Sequence, residues 1–166
     1  MAAPKPFWST NTLEPLRKFR FQIQFGNDIM WWAKSVTQPS PDVSMSEYQL
    51  INHKIKYPGI VTWNDIDITM VEPNKDSKVG FKLFNELKGS GYYTDPTNGA
   101  TDGLKKNVFS GEDILITKID ADGELVETWK LINPFIKAIK YGDLDYSSDD
   151  LLEIIITVAY DSATLT

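Results

Sequence analysis

Several short stretches of the chain alternate between apolar and polar residues. Every second residue from Phe19 to Phe25 is aromatic or aliphatic, and the residues between them are polar. This period of two predicts a β-strand with one buried face and one solvated face. Residues 26–28 form a Gly-Asn-Asp turn signal, so residues 29–36 are predicted to pair back as the second strand of a hairpin.

The same alternation recurs in the middle and at the end of the chain. Every second residue from Ile66 to Met70 is apolar, and the longer series from Leu152 to Tyr160 predicts the strand at the centre of the core. Asp-Ala-Asp-Gly at 120–123 predicts a tight turn, because Asp-Gly suits positive φ angles. Further strands are expected at 114–119, 124–132 and 135–141, the last pairing with the closing strand.

One helix is expected between these strands, at 74–88. Its apolar residues recur at helical spacing, with Asn74 or Asp76 as the N-cap and Gly89 in place for a left-handed C-terminal cap: Val79, Leu83 and Leu87. The helix is predicted to cover one open side of the sheet. Residues 89–111 are rich in glycine and are predicted to form a surface loop, since their spacing fits no phosphate-binding motif.

A protruding hairpin arm is predicted at 38–58. Proline flanks two short strand-like segments at 48–51 and 54–57, and Asn-His at 52–53 supplies the tip. An isolated two-stranded hairpin is marginal in water, so an arm of this kind needs a surface to lie on. His53 is interpreted as a solvated turn residue.

The N-terminal segment 1–17 is predicted to be an arm without regular pairing, because Pro4, Pro6 and Pro15 interrupt it. It carries Trp8, for which two roles are open. The indole either covers the chain's own domain or anchors the arm on a neighbouring subunit.

The length and the apolar fraction of the chain predict a single domain, residues 18–166. The chain has 166 residues, of which 42% are apolar, enough for one core. The predicted class is mainly β with some α: an antiparallel β-sandwich or small barrel with one capping α-helix and a protruding β-hairpin arm. No signal peptide and no membrane-spanning segment are expected, because residues 1–8 lack a basic stretch followed by an apolar one and the longest apolar patch, residues 151–160, has the length of a strand.

Charge and residue usage argue against several functions. The net charge of −6 repels phosphate, and the absence of Cys excludes disulfides and thiolate sites. With one histidine, no nucleophile–base pair is expected, and the chain is predicted to be no enzyme and to use no cofactor. The acidic segment 143–150 departs from a calcium loop, which needs Gly and Glu where Ser148 and Ile154 stand, and is predicted to be a solvated turn without a metal.

The order of these elements resembles the tail tube protein of contractile-tailed bacteriophages over most of the chain. The similar segments run from the opening hairpin through the central strand and helix to the closing strand: Phe21–Ile23, Ala33–Pro39, Gly59–Met70, Phe84–Leu87, Asn133–Phe135 and Tyr141–Tyr146, with Ser148, Asp149 and Glu153. The glycine-rich stretch 89–111 departs from the family pattern.

The resemblance implies a structural virion protein. Its subunits would form hexameric rings that stack into the inner tail tube, a conduit through which DNA passes without specific binding during contractile injection. The implied partners are identical subunits and the tail sheath, baseplate and tail-terminator proteins. The protein would act in the tail of a virion, after assembly in the host cell cytoplasm.

Contact residues are expected on the two projecting segments, because unpaired strand edges and arms are completed by other chains. The candidates for contacts between subunits or rings are Trp8, Val43, Met45, Tyr48, Leu50, His53, Ile55 and Tyr57. Asp67 and Thr69 are candidates for lining the lumen, where acidic residues would keep phosphate from sticking.

Two alternative functions remain open. One is a baseplate tube-initiator or the inner-tube protein of a phage-derived injection system, which would share the fold. The other belongs to a different class, a monomeric β-sandwich that binds carbohydrate, in which exposed tryptophans such as Trp31, Trp32 or Trp63 would stack on sugars.

Overall fold

The computed structural model describes residues 15–73, 78–91 and 113–166. Within these ranges eleven strands and one helix follow one another along the chain: β1 Phe21–Phe25, β2 Asp28–Ile29, β3 Ala33–Val36, β4 Pro41–Leu50, β5 His53–Trp63, β6 Ile66–Val71, α1 Val79–Gly89, β7 Ile114–Ile119, β8 Leu125–Ile132, β9 Phe135–Lys140, β10 Glu153–Ala159 and β11 Ser162–Leu165.

Two antiparallel sheets share one hydrophobic core. The first has the strand order β11-β8-β7-β1-β2 and the second β3-β6-β10-β9. Ile23 and Ile116 of the first sheet and Ile68 and Ile156 of the second are almost completely buried in the same cluster. The architecture is therefore a β-sandwich, and the described strands do not close into a barrel. The predicted mainly-β antiparallel class is confirmed.

The alternation of apolar residues explains the centre of the core. Ile154, Ile156 and Val158 of β10 are fully buried, and Ile156 lies opposite Ile68 of β6. Each strand therefore directs one face inward, because successive side chains point to opposite sides. The predicted central strand is confirmed.

The helix packs on the core but begins and ends differently from the prediction. Val79 and Leu83 are buried in the shared cluster. Lys78 is the N-cap residue and makes no capping side-chain bond, whereas Asn74 and Asp76 lie outside the described residues. Gly89 is the last helical residue, so its prediction as the left-handed cap was wrong, and Gly91 takes the positive φ of 101° instead.

The predicted hairpin over 19–36 is only partly correct. Phe19 is exposed and lies outside β1, while β2 pairs back on β1 over two residues. The chain then crosses to the second sheet, where Val36 of β3 pairs with Ile68 of β6. Met30 still donates its amide to the carbonyl of Ile23, and the pairing ends after it because the amides of Trp31 and Ala33 donate to carbonyls two and three residues back, which turns the chain.

The predicted hairpin across residues 120–123 is confirmed, whereas the last strand, β11, was not predicted. β7 and β8 pair across the turn at 120–123, where Asp120 accepts hydrogen bonds from the amides of Asp122 and Glu124, both at 2.9 Å. β9 pairs with β10 as predicted. β11 adds an edge strand beside β8, which the polar sequence Ser-Ala-Thr-Leu did not predict.

Gly142 lies in the connection between β9 and β10, at a position with no space for a side chain. Its φ is +76°, and a Cβ atom there would lie 2.7 Å from the carbonyl oxygen of Glu153. We expect Gly142→Ala to lower the free energy of unfolding by about 1–3 kcal/mol, because it combines strain with a backbone clash. Gly89→Ala is the control, since nothing lies within 4 Å of that position. Urea denaturation measures both, and equal stability of the two variants would contradict this explanation.

Candidate functional site

The hairpin arm stands apart from both sheets. β4 and β5 form their own two-stranded sheet, and every residue from Pro41 to Thr62 is exposed. The arm is longer than predicted, because β5 continues through Pro58 to Trp63 and includes residues 59–63, which the resemblance assigned to the central strand. Such a hairpin has little stability of its own in water, so its long exposed strands indicate a contact surface.

The base of the arm is fixed to the domain. Trp63 packs against Trp129 and Tyr160, with ring centroids 6.5 Å and 6.0 Å away. The Asn64 side chain donates hydrogen bonds to the hydroxyl of Ser40 at 3.2 Å and to the carboxylate of Asp42 at 2.8 Å. Burial raises the pKa of the Tyr160 hydroxyl, with the charge of Asp65 adding to the effect. These contacts hold the base of the arm on the domain.

A β-bulge interrupts the arm near its middle. Ser44 of β4 lies opposite two residues of β5, Gly59 and Ile60, and its hydroxyl accepts a hydrogen bond of 2.8 Å from the Ile60 amide. A Cβ atom at position 59 would lie 2.4 Å from that hydroxyl oxygen, so the close approach suits glycine. The bulge inserts one residue and reverses which residues of β5 face each side.

Beyond the bulge, one face of the hairpin is apolar. Tyr48 pairs with Ile55, and Leu50 and Tyr57 lie on the same side. We call these four residues the tip face. They are all exposed, Tyr48 at 58%. The opposite side carries Glu47, Gln49, Lys54 and Lys56, where Lys54 and Glu47 form an ion pair of 3.1 Å.

On the other side of the bulge, the apolar residues lie on the opposite face. Val43 pairs with Val61, and Met45 alternates in step with Val43 along β4. We call Val43, Met45 and Val61 the base face. All three are at least half exposed. Because tip face and base face point in opposite directions, one flat surface cannot cover both.

Most of the predicted contact residues lie on these faces. Tyr48, Leu50, Ile55 and Tyr57 make up the tip face, with His53 exposed beside them opposite Leu50, while Val43 and Met45 belong to the base face. Trp8 lies outside the described residues. Whether another chain contacts any of these residues stays a prediction.

The sequence prediction missed three further exposed apolar residues of the arm: Ile51, Ile60 and Val61. Ile51 occupies the turn with a φ of 46°, and Ile60 lies in the bulge. The Pro-Gly pair before Ile60 was a signal for an irregular strand. Trp31 and Trp32, which the alternative function would use for stacking on sugars, are both exposed within the single chain.

The lumen candidates lie on the outer face of the second sheet. The hydroxyl of Thr157 donates a 2.6 Å hydrogen bond to Asp67, and Thr69 lies one position further along the same face. Ion pairs neutralise the neighbouring charges, with Lys137 bound to Asp65 and Lys34 to Glu153. This face is therefore polar and nearly balanced in charge.

The described residues show neither a metal site nor a helix that could cross a membrane. In these ranges, no three His, Asp or Glu side chains are grouped closely enough to hold a metal ion. The described helix is too short and too polar to span a bilayer. The acidic segment 143–150 is an exposed connection between β9 and β10, as predicted.

Solved structures share this architecture. No family model matches the chain, and no curated protein matches it in sequence. A chain of the anti-feeding prophage cap, a tube-terminating cap, is 18% identical with a TM-score of 0.71, over 92% of this chain and 91% of that one.

Two more similarities extend the comparison. A chain of the sheath-tube complex of the PVC extracellular contractile injection system is 20% identical, with a TM-score of 0.69 over 92% and 91% of the two chains. Hcp1 from Flavobacterium johnsoniae is 11% identical, with a TM-score of 0.51 over 89% and 94%. At these identities the similarity concerns the fold, and the chain has a tail-tube-type fold.

Proposed function

We propose that this chain is a structural subunit of a tube in a contractile injection particle and that it assembles with copies of itself. The observation that carries the proposal is the arm, whose apolar side chains between residues 41 and 62 are all exposed in the single chain. The shared fold supports it, since the matched structures are parts of a tube-terminating cap and a sheath-tube complex.

The energetics favour another protein chain as the cover of the arm. Burying one large apolar side chain contributes about 1.5–3 kcal/mol, and the tip face offers four. Association must first offset the lost freedom of two molecules, which a contact through a single residue does not achieve. A second copy is the natural partner, because identical subunits form most soluble assemblies.

The opposed directions of the two faces support a head-to-tail arrangement of the copies. A hairpin with apolar residues on opposite sides, at its base and at its tip, fits between two neighbours. Such head-to-tail contacts form a ring when the rotation closes, and a second contact stacks the rings. The edge strands β9 and β3 of the second sheet offer backbone groups for further pairing.

The proposed assembly is a stack of hexameric rings. Asp67 and Thr69 would line the lumen, and the face around them would let DNA pass, because balanced charges neither grip nor strongly repel phosphate. Sheath, baseplate and terminator proteins would cover the outside and the ends. The particle would be a virion tail, or a related injection system, assembled in the host cell cytoplasm, and the subunit would have no catalytic role.

Concentration-dependent assembly tests this function. We expect purified protein to change from monomers to rings or tubes as its concentration rises, because each copy both presents and receives a hairpin. Sedimentation velocity gives the size, and negative-stain microscopy gives the shape and the number of subunits. Single rings that do not elongate would indicate a terminator or initiator. A strict monomer at every concentration would refute self-assembly and favour a carbohydrate-binding module.

A further inference from the structure

A cleft with a basic rim lies beside β3, bordered by both sheets. Its cavity has a volume of about 530 Å³, and five cationic side chains line it: Arg17, Lys18, Arg20, Lys34 and Lys118. No acidic residue is among its described lining residues. We call this the basic cleft. Such a concentration of positive charge contrasts with a chain that has 17 basic and 23 acidic residues.

The floor of the basic cleft is apolar. Phe21, Val36 and Ile116 supply it from β1, β3 and β7. Lys118 is paired with Glu127 at 2.7 Å, and Lys34 is paired with Glu153, whereas Lys18 has no acidic partner within the described part of the chain. The cleft therefore offers positive charge above an apolar surface, which suits an acidic segment that also carries apolar side chains.

Residues 142–151 have that composition. This connection between β9 and β10, which we call the acidic loop, carries four aspartates that make no ion pair with the described chain: Asp143, Asp145, Asp149 and Asp150. Leu144 and Tyr146 stand between them and are exposed, Leu144 at 86%. A loop that displays carboxylates and large apolar groups together gains from a partner that matches both.

Internal hydrogen bonds hold part of the acidic loop in shape. Ser147 donates to Asp145 from its amide at 2.9 Å and from its hydroxyl at 2.8 Å, and the Ser148 hydroxyl donates to Asp150 at 3.0 Å. The bonds from Ser147 lower the pKa of Asp145, because they stabilise its carboxylate form. Asp143 and Asp149 take no part in these bonds and are available for other contacts.

We propose that the acidic loop of one copy docks in the basic cleft of a second copy. The proposal rests on the self-assembly proposed above and adds a contact outside the hairpin. Lys34 borders both surfaces, yet no residue from 142 to 151 is among the described residues that line the cleft of the same chain. Because loop and cleft are different surfaces, each copy gives a loop to one neighbour and receives one from another.

Charge reversal tests this contact. The loop-reversed variant is Asp143→Lys with Asp149→Lys, which spares the aspartates that shape the loop. The cleft-reversed variant is Arg17→Glu with Lys18→Glu, at two exposed positions before β1. We expect each variant alone to need at least about a tenfold higher concentration to assemble, because like charges then meet at the contact. Sedimentation velocity measures the shift.

Mixing the two variants separates contact between copies from effects within one chain. Loop and cleft of opposite charge then meet between the two variants, so an equal mixture is expected to assemble near the wild-type concentration. Asp122→Lys with Glu124→Lys is the matched control, since it changes the charge equally on the β7–β8 turn and is expected to leave assembly unchanged. Thermal melting verifies that every variant folds.

Other outcomes would overturn the proposal. If the wild type assembles and each reversed variant assembles equally well, the loop–cleft contact is excluded and the proposed function stands. Wild type that stays monomeric would exclude both. Loss of binding to duplex DNA in the cleft-reversed variant, with assembly unchanged, would assign the cleft to nucleic acid instead.

Discussion

Tyr48→Ser together with Ile55→Ser is expected to prevent assembly while the subunit stays folded. The two residues are cross-strand partners at the centre of the tip face, and both are exposed in the single chain. If a second copy buries them, their loss removes on the order of 3 kcal/mol or more from each contact. Association then weakens by at least about a hundredfold, which sedimentation velocity over a concentration series will show.

The opposite side of the same strands provides the control. Gln49→Ser with Lys56→Ser alters two exposed polar residues at neighbouring positions, and we expect it to assemble like wild type. Both double variants are expected to melt within a few degrees of wild type, because the arm lies outside the shared core. Assembly of the Tyr48/Ile55 variant at the wild-type concentration would show that the tip face is no interface.

Ile156→Ala is expected to lower the free energy of unfolding by about 2–5 kcal/mol. Its side chain is fully buried on β10, between partners on β6 and β9, so the substitution leaves a cavity in the core. This is a large share of the stability of a domain of this size. Urea denaturation of the monomer at low protein concentration measures the loss without a contribution from assembly.

Ile60→Ala is the matched control for the core substitution. It makes the same chemical change at a residue of the arm that is 79% exposed, and we expect a change within about 0.5 kcal/mol. If both variants lose the same free energy of unfolding, the described core is not the main source of the domain's stability.

Much of the fold could be predicted because local patterns determined it. The period of two in β6 and β10 specified their buried faces, and Asp-Ala-Asp-Gly specified the turn between β7 and β8. The crossing of β3 to the second sheet could not be predicted, since pairing partners depend on the whole core. β11 lacked a signal because a four-residue edge strand with polar residues gains its stability from β8 alone.

The sequence predicted most residues of the candidate interface but not how the pairing of the two strands arranges them. The strand-like pattern of the arm marks Tyr48, Leu50, Ile55 and Tyr57 as contact candidates from the sequence alone. Along β4 the apolar residues change from odd to even positions between Met45 and Tyr48, whereas along β5 the change of face depends on the bulge opposite Ser44, where the register shifts. A single strand's sequence carries no record of the residue opposite it, so the bulge in β5, which puts Val61 on the same face as Val43, follows only from the pairing of β4 with β5.

Hydrogen exchange of the backbone amides in β4 and β5 tests whether copies of the chain complete the arm. The exchange rates are compared between dilute monomer and assembled protein. We predict that assembly slows exchange at residues 45–57 by at least about a hundredfold, because a neighbouring subunit then prevents the exposed hairpin from opening. Unchanged exchange of these amides in fully assembled particles would show that the subunits associate through other surfaces and that the arm is no part of the interface.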